Sequence, residues 1–199
     1  TMGDGGNDRT VHQGYLDEYA IDLYEVTNAL YAECVKAGKF LIRPRCSVFS
    51  SSTYANYSVV CVNWSQAQTY CEWRGGSLPT EAQWEKAARG GLEGKLYPWG
   101  DEEPTCEKGA ANGAQFLDCT PHSSAPVGAY GANGYGLYDM AGNVFEWGRE
   151  WYGETYYVGA PTANPTGPES GQYRSIRGSS FETDVDQVGS AIRHFGAQV

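Results

Sequence analysis

The chain has 199 residues, a formal net charge of −10 and a sequence pI near 4.7. This charge disfavours nucleic acid and anionic membrane surfaces as partners, and the lack of any apolar run of roughly 18 residues predicts no membrane insertion. The 26 glycines, 15 tyrosines and six tryptophans indicate one loop-rich globular domain with tight turns and large flat side chains.

Three short helices with capping residues are predicted in the first half of the chain. Thr27 is placed to cap the first helix, which would stop at Gly38. Its predicted apolar stripe, which would pack on a sheet, consists of Leu30, Tyr31, Cys34 and Val35. Asn63 and Thr80 are placed to cap the second and third helices, each with a glutamine three residues later. A glycine pair follows each of these two segments and predicts where the helix ends.

Strand signals are short and scattered along the chain. Residues 15–26, 58–62 and 173–178 alternate or cluster apolar side chains in the manner of strands. Residues 92–166 read as loops with turn dipeptides, and this stretch is too long for an idle connection in a compact domain. We therefore expect a mixed α and β protein whose long loops carry function or are stiffened by something.

Cysteine usage indicates an oxidising compartment. The six cysteines all lie in the first 119 positions, and none shows the C-x-x-C spacing of a zinc site. The positions are Cys34, Cys46, Cys61, Cys71, Cys106 and Cys119. Paired disulfides are the simplest interpretation, with the local pairs Cys34/Cys46 and Cys106/Cys119 each closing a short polar loop. Buried reduced cysteines in a cytoplasmic protein are the alternative.

Six sequence segments occur in an order that closely resembles the formylglycine-generating enzyme and sulfatase-modifying factor family. They are "DLYEVTNALY", "VNWSQAQTYCEW", "SLPTEAQWEKAARGG", "YPWGDE", "APVGAYGANGYGLYDMAGNVFEW" and "NPTGPESGQYRSIRGSSF". The resemblance covers Met2 to Arg193 and implies an α+β, C-type-lectin-like fold of the sulfatase-modifying type, with about three short helices and short antiparallel sheets. It further implies one domain over residues 1–199 that lacks its extreme N- and C-terminal strands.

The resemblance implies a calcium site in "DMAGNVFE". The matching positions are Asp139 and Glu146 for carboxylate oxygens and Gly142 and Val144 for backbone carbonyls, with Asn143 close enough to contribute or to buttress the turn. Hard oxygen donors around a glycine turn are what Ca²⁺ prefers. The alternative is that the two acids only accept hydrogen bonds from loop amides.

A second calcium position of the family corresponds here to the segment "ANGAQFLDCT". Its ligands would be the side chains of Asn112 and Asp118 with carbonyls such as those of Gly113 and Thr120. This loop is shorter than in relatives and carries Cys119, and two polar side chains in a loop are more often simply solvated. We therefore expect one Ca²⁺, with a second as a further possibility.

The chain departs from the family where the redox chemistry resides. Formylglycine-generating enzymes hold a cuprous ion with two cysteines just after the "RGGS" strand, and residues 177–196, the corresponding segment, contain no cysteine. Related ferrous enzymes need three histidines, whereas His12, His122 and His194 lie in separate segments. We therefore expect neither copper nor iron.

The segment after "RSIRGSS" would form an exposed recognition face. Relatives place their active site there, and variable proteins of diversity-generating systems display diversified residues on the same part of the fold. The candidate contact residues are Phe181, Glu182, Thr183, Asp184, Asp186, Gln187, Ile192, His194 and Phe195. Aromatic side chains among acids suit a recognition patch. Two alternatives are that Phe181 and Ile192 are core side chains and that the acids form a solvated loop.

Relatives continue to a final "GFRC" strand, whose cysteine bonds to the one that matches Cys71. Four explanations remain open for this chain. The sequence is a fragment, Cys71 pairs with Cys61, Cys71 is a free buried thiol, or the chain is an assembly subunit that receives the strand from a neighbour.

Two functional hypotheses follow. The first is a non-catalytic, calcium-stabilised binding or assembly module, located extracellularly, on the cell surface or in the periplasm. Its partner would be a protein or carbohydrate ligand, or copies of itself in a surface assembly. The second is an oxidase or metal-dependent oxygenase of the same superfamily whose redox-metal ligands lie outside this chain. The absent cysteines favour the first hypothesis.

Overall fold

A computed structural model describes residues 1–3, 11–39, 49 and 51–198. The helices are α1 (Asn28–Lys36), α2 (Trp64–Trp73) and α3 (Glu81–Ala88), and the strands are β1 (Glu146–Trp151), β2 (Arg174–Arg177) and β3 (His194–Gly196). Much of the remaining described chain is irregular backbone. Within the described residues, no helix has the length and apolar character needed to cross a bilayer.

The predicted helix starts are confirmed. The Thr27 hydroxyl accepts the Leu30 N–H at 3.2 Å, and Asn63 and Thr80 each form a complete capping box with the glutamine three residues later. Gly38 has a φ of +73°, the left-handed conformation in which glycine ends a helix. Local capping chemistry therefore fixed these elements.

Helix α1 packs against α2, which corrects the expectation that it lies on a sheet. Tyr31 and Cys34 of α1 are buried against Tyr70 of α2, and the Tyr31 and Tyr70 rings stack with their centroids 5.7 Å apart. Leu30, which was expected in the same apolar stripe, is 44% exposed. The inner face of α1 is therefore narrower than its sequence pattern suggested.

The three strands form one antiparallel sheet in the order β1-β2-β3. Ile176 lies opposite Trp147 on one side and opposite His194 on the other. The predicted strand over residues 173–178 is confirmed as β2, but residues 15–26 and 58–62 contribute no strand to this sheet. Strand β1 lies inside the stretch predicted as loops. The sequence did not predict this strand because its pairing partner is distant in sequence and leaves no local signal.

Helix α3 packs against β1 and β2, and a buried network of charges lies between them. Arg177 donates to Glu85 at 2.7 Å, and Arg193 donates to Glu81 at 2.7 Å and 3.0 Å. Arg89 completes the network with a 2.8 Å contact to Glu85. All five side chains are buried. These pairs compensate the charges that are buried between the helix and the sheet.

The cysteines divide into bonded and free groups. The predicted disulfide between Cys106 and Cys119 is present. The predicted pair Cys34/Cys46 is wrong, because Cys34 is a free thiol in the interface between α1 and α2; Cys46 itself lies outside the described residues. Cys71 is also free, whereas Cys61 is disulfide-bonded, so these two do not pair with each other.

Candidate metal centre and recognition loop

The segment 139–146, here called the metal loop, is built on left-handed backbone. Asp139, Gly142 and Asn143 have φ values of +56°, +78° and +64°. Aspartate and asparagine tolerate this conformation better than most residues, and glycine has no side-chain clash there. A side chain at Gly142 would collide with the backbone of Gln115. The residue types of the "DMAGN" motif therefore follow from the shape of the loop.

Asn143 buttresses the loop with its side chain. Its Oδ1 accepts the Ala125 N–H at 2.8 Å, and its Nδ2 donates to Glu25 Oε2 at 2.5 Å. The residue is 1% exposed. Both ends of the side-chain amide are therefore bound to protein partners. This agrees with the interpretation that Asn143 buttresses the turn rather than contributes a ligand from its side chain.

Glu25 is a residue of the site that the sequence reasoning missed. Its carboxylate accepts hydrogen bonds from the Ser58 hydroxyl, the Asn143 amide and the Val144 N–H. Burial, and then the charges of Asp139 and Glu146, raise the pKa of Glu25 well above its ordinary value. The available signal was an acid between large apolar side chains in "LYEV", which is unusual unless the acid has buried partners.

The two carboxylate oxygens of Asp139 have different surroundings. Oδ2 accepts the Gly128 N–H at 2.6 Å, whereas Oδ1 is buried and has no hydrogen-bond partner among the residues that the structure describes. The residue is only 6% exposed, and burial raises its pKa to about 6. A buried oxygen in this state is costly unless something else binds it.

Glu146 and Val144 direct oxygens toward the same small region. Glu146 Oε1 and the Val144 carbonyl oxygen each lie 3.6 Å from the point at which a side chain would begin on Gly178. Burial raises the pKa of Glu146 to about 7, and the charge of Asp139 adds to this rise. Gly142, the remaining predicted ligand, donates its N–H to the Gly178 carbonyl at 2.6 Å.

The metal loop and Glu25 bring acidic side chains together without a cationic partner within the described part of the chain. Among the described residues, no ion pair involves Glu25, Asp139 or Glu146. The described part of the chain also contains no group of three or more His, Cys, Asp or Glu side chains placed to hold a metal ion. An ion would therefore need carbonyl oxygens besides carboxylates, a mixed donor set that suits Ca²⁺. In this chemical sense the residues fit the ion.

A groove of about 510 Å³ connects this region to solvent. Its walls include Glu25, Val144 and Glu146, and also the free thiol of Cys71. Ions could reach the carboxylates of Glu25 and Glu146 through this opening, which gives these two acids an entry path from solvent.

The second predicted calcium position is not assembled by any described contact. Asn112 donates from its side chain to the Glu103 carbonyl at 2.9 Å, and its own carbonyl accepts the Thr105 N–H. Gly113 is buried, while Asp118 and Thr120 are exposed. This site stays a prediction.

Residues 178–187, here called the recognition loop, carry most of the predicted contact residues. Ile192 lies outside this loop and is 7% exposed, so it is a core side chain rather than a contact residue. Phe181, Thr183 and His194 are half-buried. The exposed members of the predicted face are Glu182, Asp184, Asp186, Gln187 and Phe195.

Arg177 fixes the chain that follows the recognition loop. Its guanidinium donates to the carbonyls of Ser190, Ala191 and Ile192 at 2.7–3.1 Å. The Ser179 hydroxyl donates to the Gln187 carbonyl and so closes the base of the loop. The sequence reasoning missed this anchor, although acids at four-residue spacing in α3 were a signal that a buried helix face needed cationic partners.

The three histidines occupy separate environments. His12 stacks on Tyr157 with ring centroids 4.7 Å apart, and His194 packs edge-on against Phe145 at 5.0 Å. His122 is exposed. The spacing argument that these residues belong to unrelated parts of the fold agrees with this arrangement.

Comparisons with known proteins relate the whole chain to one family. The model described as "Sulfatase-modifying factor enzyme 1-like domain" matches residues 1–198. The formylglycine-generating enzyme of Streptomyces coelicolor is 45% identical over 135 residues, 63% of this chain and 42% of that protein. The serine/threonine-protein kinase pkn1 of Chlamydia caviae is 36% identical over 214 residues, 94% of this chain and 32% of that protein. The chain thus spans less than half the length of these relatives.

A third relative, the inactive C-alpha-formylglycine-generating enzyme 2 of Mus musculus, is 39% identical over 141 residues, 68% of this chain and 40% of that protein. Among solved structures, Treponema denticola variable protein 1 superposes with a TM-score of 0.84 at 23% identity, covering 99% of this chain and 86% of the other. PvdO from Pseudomonas aeruginosa superposes with a TM-score of 0.78 at 24% identity, covering 99% of this chain and 84% of the other. The predicted α+β fold of the sulfatase-modifying type is confirmed.

Proposed function

We propose that this chain, which belongs to the sulfatase-modifying factor enzyme 1-like domain family, is a non-catalytic, calcium-stabilised binding or assembly module. The recognition loop together with Phe195 presents the binding face. The domain works in an extracellular, cell-surface or periplasmic setting.

The residues of the recognition segment support a binding role over redox catalysis. Copper(I) requires soft thiolate ligands, and residues 177–196 contain no cysteine. Family similarity alone does not decide the matter, because relatives named as formylglycine-generating enzymes and one named as inactive match the chain at comparable identity. The residues at the site carry more weight than the fold in this choice.

The observation that carries the proposal is an acidic loop held on a rigid base. Glu182, Asp184 and Asp186 are exposed, while the chain on either side is tied down by the buried Arg177. A pre-ordered loop loses little conformational entropy when it binds a partner. Its carboxylates suit a protein surface with cationic groups, a carbohydrate that donates hydroxyl hydrogen bonds, or a complementary face on another copy of the chain.

Calcium would stabilise the platform beneath this loop. Asp139, Glu146 and the Val144 carbonyl are the donors best placed to hold the ion, with Gly142 in the same turn. When bound, Ca²⁺ supplies positive charge to a region that contains the buried side chains of Glu25 and Asp139 and the half-buried side chain of Glu146. Asn143 and Glu25 hold the loop in shape through their hydrogen bonds. The disulfide between Cys106 and Cys119 supports an oxidising compartment, in which Ca²⁺ is also abundant.

A second candidate function keeps the chemistry of the enzyme-named relatives. The 45% identity to the Streptomyces coelicolor formylglycine-generating enzyme favours an oxidase or metal-dependent oxygenase whose redox-metal ligands lie outside this chain. Metal analysis of the full-length native protein separates the two functions. Stoichiometric copper or iron supports the oxidase, whereas calcium without either supports the binding module.

The binding face is tested with a triple variant that removes its three negative charges, Glu182→Gln/Asp184→Asn/Asp186→Asn. The matched control neutralises three exposed acids elsewhere, Glu18→Gln/Glu93→Gln/Glu107→Gln. Native protein and both variants are applied to glycan and peptide arrays, and self-association is measured by sedimentation. We expect the triple variant to lose at least tenfold in affinity for the ligand that the native protein binds, while its melting temperature stays unchanged. The control variant should keep the native affinity and the native melting temperature. Equal losses in both variants, or no ligand and no self-association for the native protein, would overturn the proposal.

A further inference from the structure

We infer that divalent-cation binding at the metal loop orders the recognition loop, so that cation binding and partner binding are thermodynamically coupled. The inference rests on the proposed function and specifies how its binding face is regulated. It requires that the two loops form one mechanical unit whose order depends on the ion.

The two loops are joined by backbone hydrogen bonds at two points. The Gly142 N–H donates to the Gly178 carbonyl at 2.6 Å, and the Phe181 N–H donates to the Asn143 carbonyl at 2.9 Å. The donor is in the metal loop in the first bond and in the recognition loop in the second. Movement of one loop away from the other would break these bonds. Gly142, Asn143 and Gly178 are buried and Phe181 is half-buried, so the bonds are partly shielded from water.

The first residue of the recognition loop lies directly against the candidate ligand oxygens. Gly178 has a φ of +90°. A Cβ atom on this residue would lie 3.3 Å from the Trp84 ring and 3.6 Å from both Glu146 Oε1 and the Val144 carbonyl oxygen. The oxygens that would hold an ion therefore lie beside the start of the recognition loop. Loss of the ion would leave mutually repelling carboxylates at the same place.

Strained backbone is concentrated at the junction. Ser179 is buried and has a φ of +67°, and it lies between Gly178 and Phe181, the two residues that are hydrogen-bonded to the metal loop. Such conformations persist only where surrounding contacts enforce them. An ion that fixes the metal loop supplies part of this enforcement, so its removal is expected to release the junction first.

The far end of the segment is held independently of the ion. Ser190, Ala191 and Ile192 are bound through their carbonyls to Arg177, which is itself paired with Glu85 on α3. The inference therefore predicts a local response: residues 178–187 gain flexibility on ion removal, whereas residues 190–193 and helix α2 do not. By linkage, a partner that binds the ordered recognition loop must tighten cation binding by the same factor.

Hydrogen–deuterium exchange with mass spectrometry tests this on the native chain in CaCl₂ and in chelator, with calcium binding measured in parallel by calorimetry. We expect amides in residues 178–187 to exchange at least tenfold faster without calcium, and those in 64–73 and 190–193 to change less than twofold. Asp139→Asn and Glu146→Gln should exchange at the calcium-free rate even in CaCl₂, while the control Asp22→Asn should behave as the native chain does.

The outcomes separate this inference from the proposed function. Calcium binding with unchanged exchange in 178–187 would overturn the coupling and leave the calcium-stabilised module standing. An equal change in 178–187 and α2 would mean a global effect, which also overturns the coupling. Absence of calcium binding would overturn both the coupling and the calcium part of the function.

Discussion

Arg177 and Glu85 form an ion pair in the interior, with Arg177 Nη2 2.7 Å from Glu85 Oε2 and both side chains almost fully buried. Arg177→Met removes one charge and leaves Glu85 poorly compensated, since Arg89 is its other cationic partner within the described residues. We expect the free energy of unfolding in urea to fall by roughly 3 kcal/mol. Lys36→Met, which breaks an exposed pair with Glu33, is the control and should have little effect. An Arg177 variant as stable as the control would contradict a structural role for the network.

Glu150 makes stability depend on pH. Burial, and then the neighbouring charge of Glu81, raise the pKa of Glu150 from 4.5 to about 7. The folded state therefore binds the proton more tightly than the unfolded state, so its stabilising effect is complete below about pH 4.5 and is lost as the pH rises through about 7. The loss should be on the order of 2–3 kcal/mol.

Glu150→Gln tests this dependence because the amide oxygen can still accept the Glu81 N–H that Glu150 Oε1 binds at 2.7 Å. Urea unfolding of both proteins is compared at pH 5 and pH 8 in chelator. The native protein should lose more stability than the variant over this interval. Parallel losses would show that Glu150 titrates normally.

Arg174 is held between two indole rings, with its guanidinium carbon 3.7 Å from the ring centroids of both Trp64 and Trp151. This contact joins the start of α2 to the sheet. Lysine retains the charge but cannot stack as a plane, so Arg174→Lys should cost about 1–2 kcal/mol in thermal or urea unfolding. Arg74→Lys, at an exposed position, provides the comparison. Equal stability of the two variants would mean that the stacking contributes nothing.

The distribution of thiols can be measured directly. Alkylation of the unfolded protein without reductant, followed by peptide mass spectrometry, should label Cys34 and Cys71 and recover Cys106 linked to Cys119. Replacing both members of the disulfide with serine should lower the free energy of unfolding by about 3 kcal/mol, because the unfolded chain regains the freedom of the closed loop. A labelled Cys106, or an unlabelled Cys34, would contradict the assignment.

Local chemistry made the helices predictable. Thr27, Asn63 and Thr80 each cap a helix through contacts within three residues, so the sequence contained the whole signal. Strand β1 could not be found in this way, because the residue that pairs with Trp147 is Ile176, far along the chain. The burial of Cys34 in the interface between helices was equally invisible, since it depends on where α2 lies.

The backbone shape of the candidate site was predictable where one motif determines it, whereas the contacts between residues distant in sequence were not. Asp139, Val144 and Glu146 lie in one loop and were identified together through the family resemblance. Glu25 reaches the loop from more than a hundred positions away, and only the folded chain shows that its carboxylate holds Asn143. The role of Ile192 likewise depended on packing, which placed this side chain in the core.

Calcium binding by the native protein tests the central claim most directly. Titration calorimetry is paired with melting curves in CaCl₂ and in chelator, for the native chain and Asp139→Asn. At calcium concentrations about a hundredfold above the dissociation constant, the stabilisation should be about 2.7 kcal/mol, or roughly 5–10 °C in melting temperature. The variant should lose most of this shift. A native protein that binds no calcium and melts identically in chelator, or one that holds copper or iron beside residues 177–196, would contradict the account.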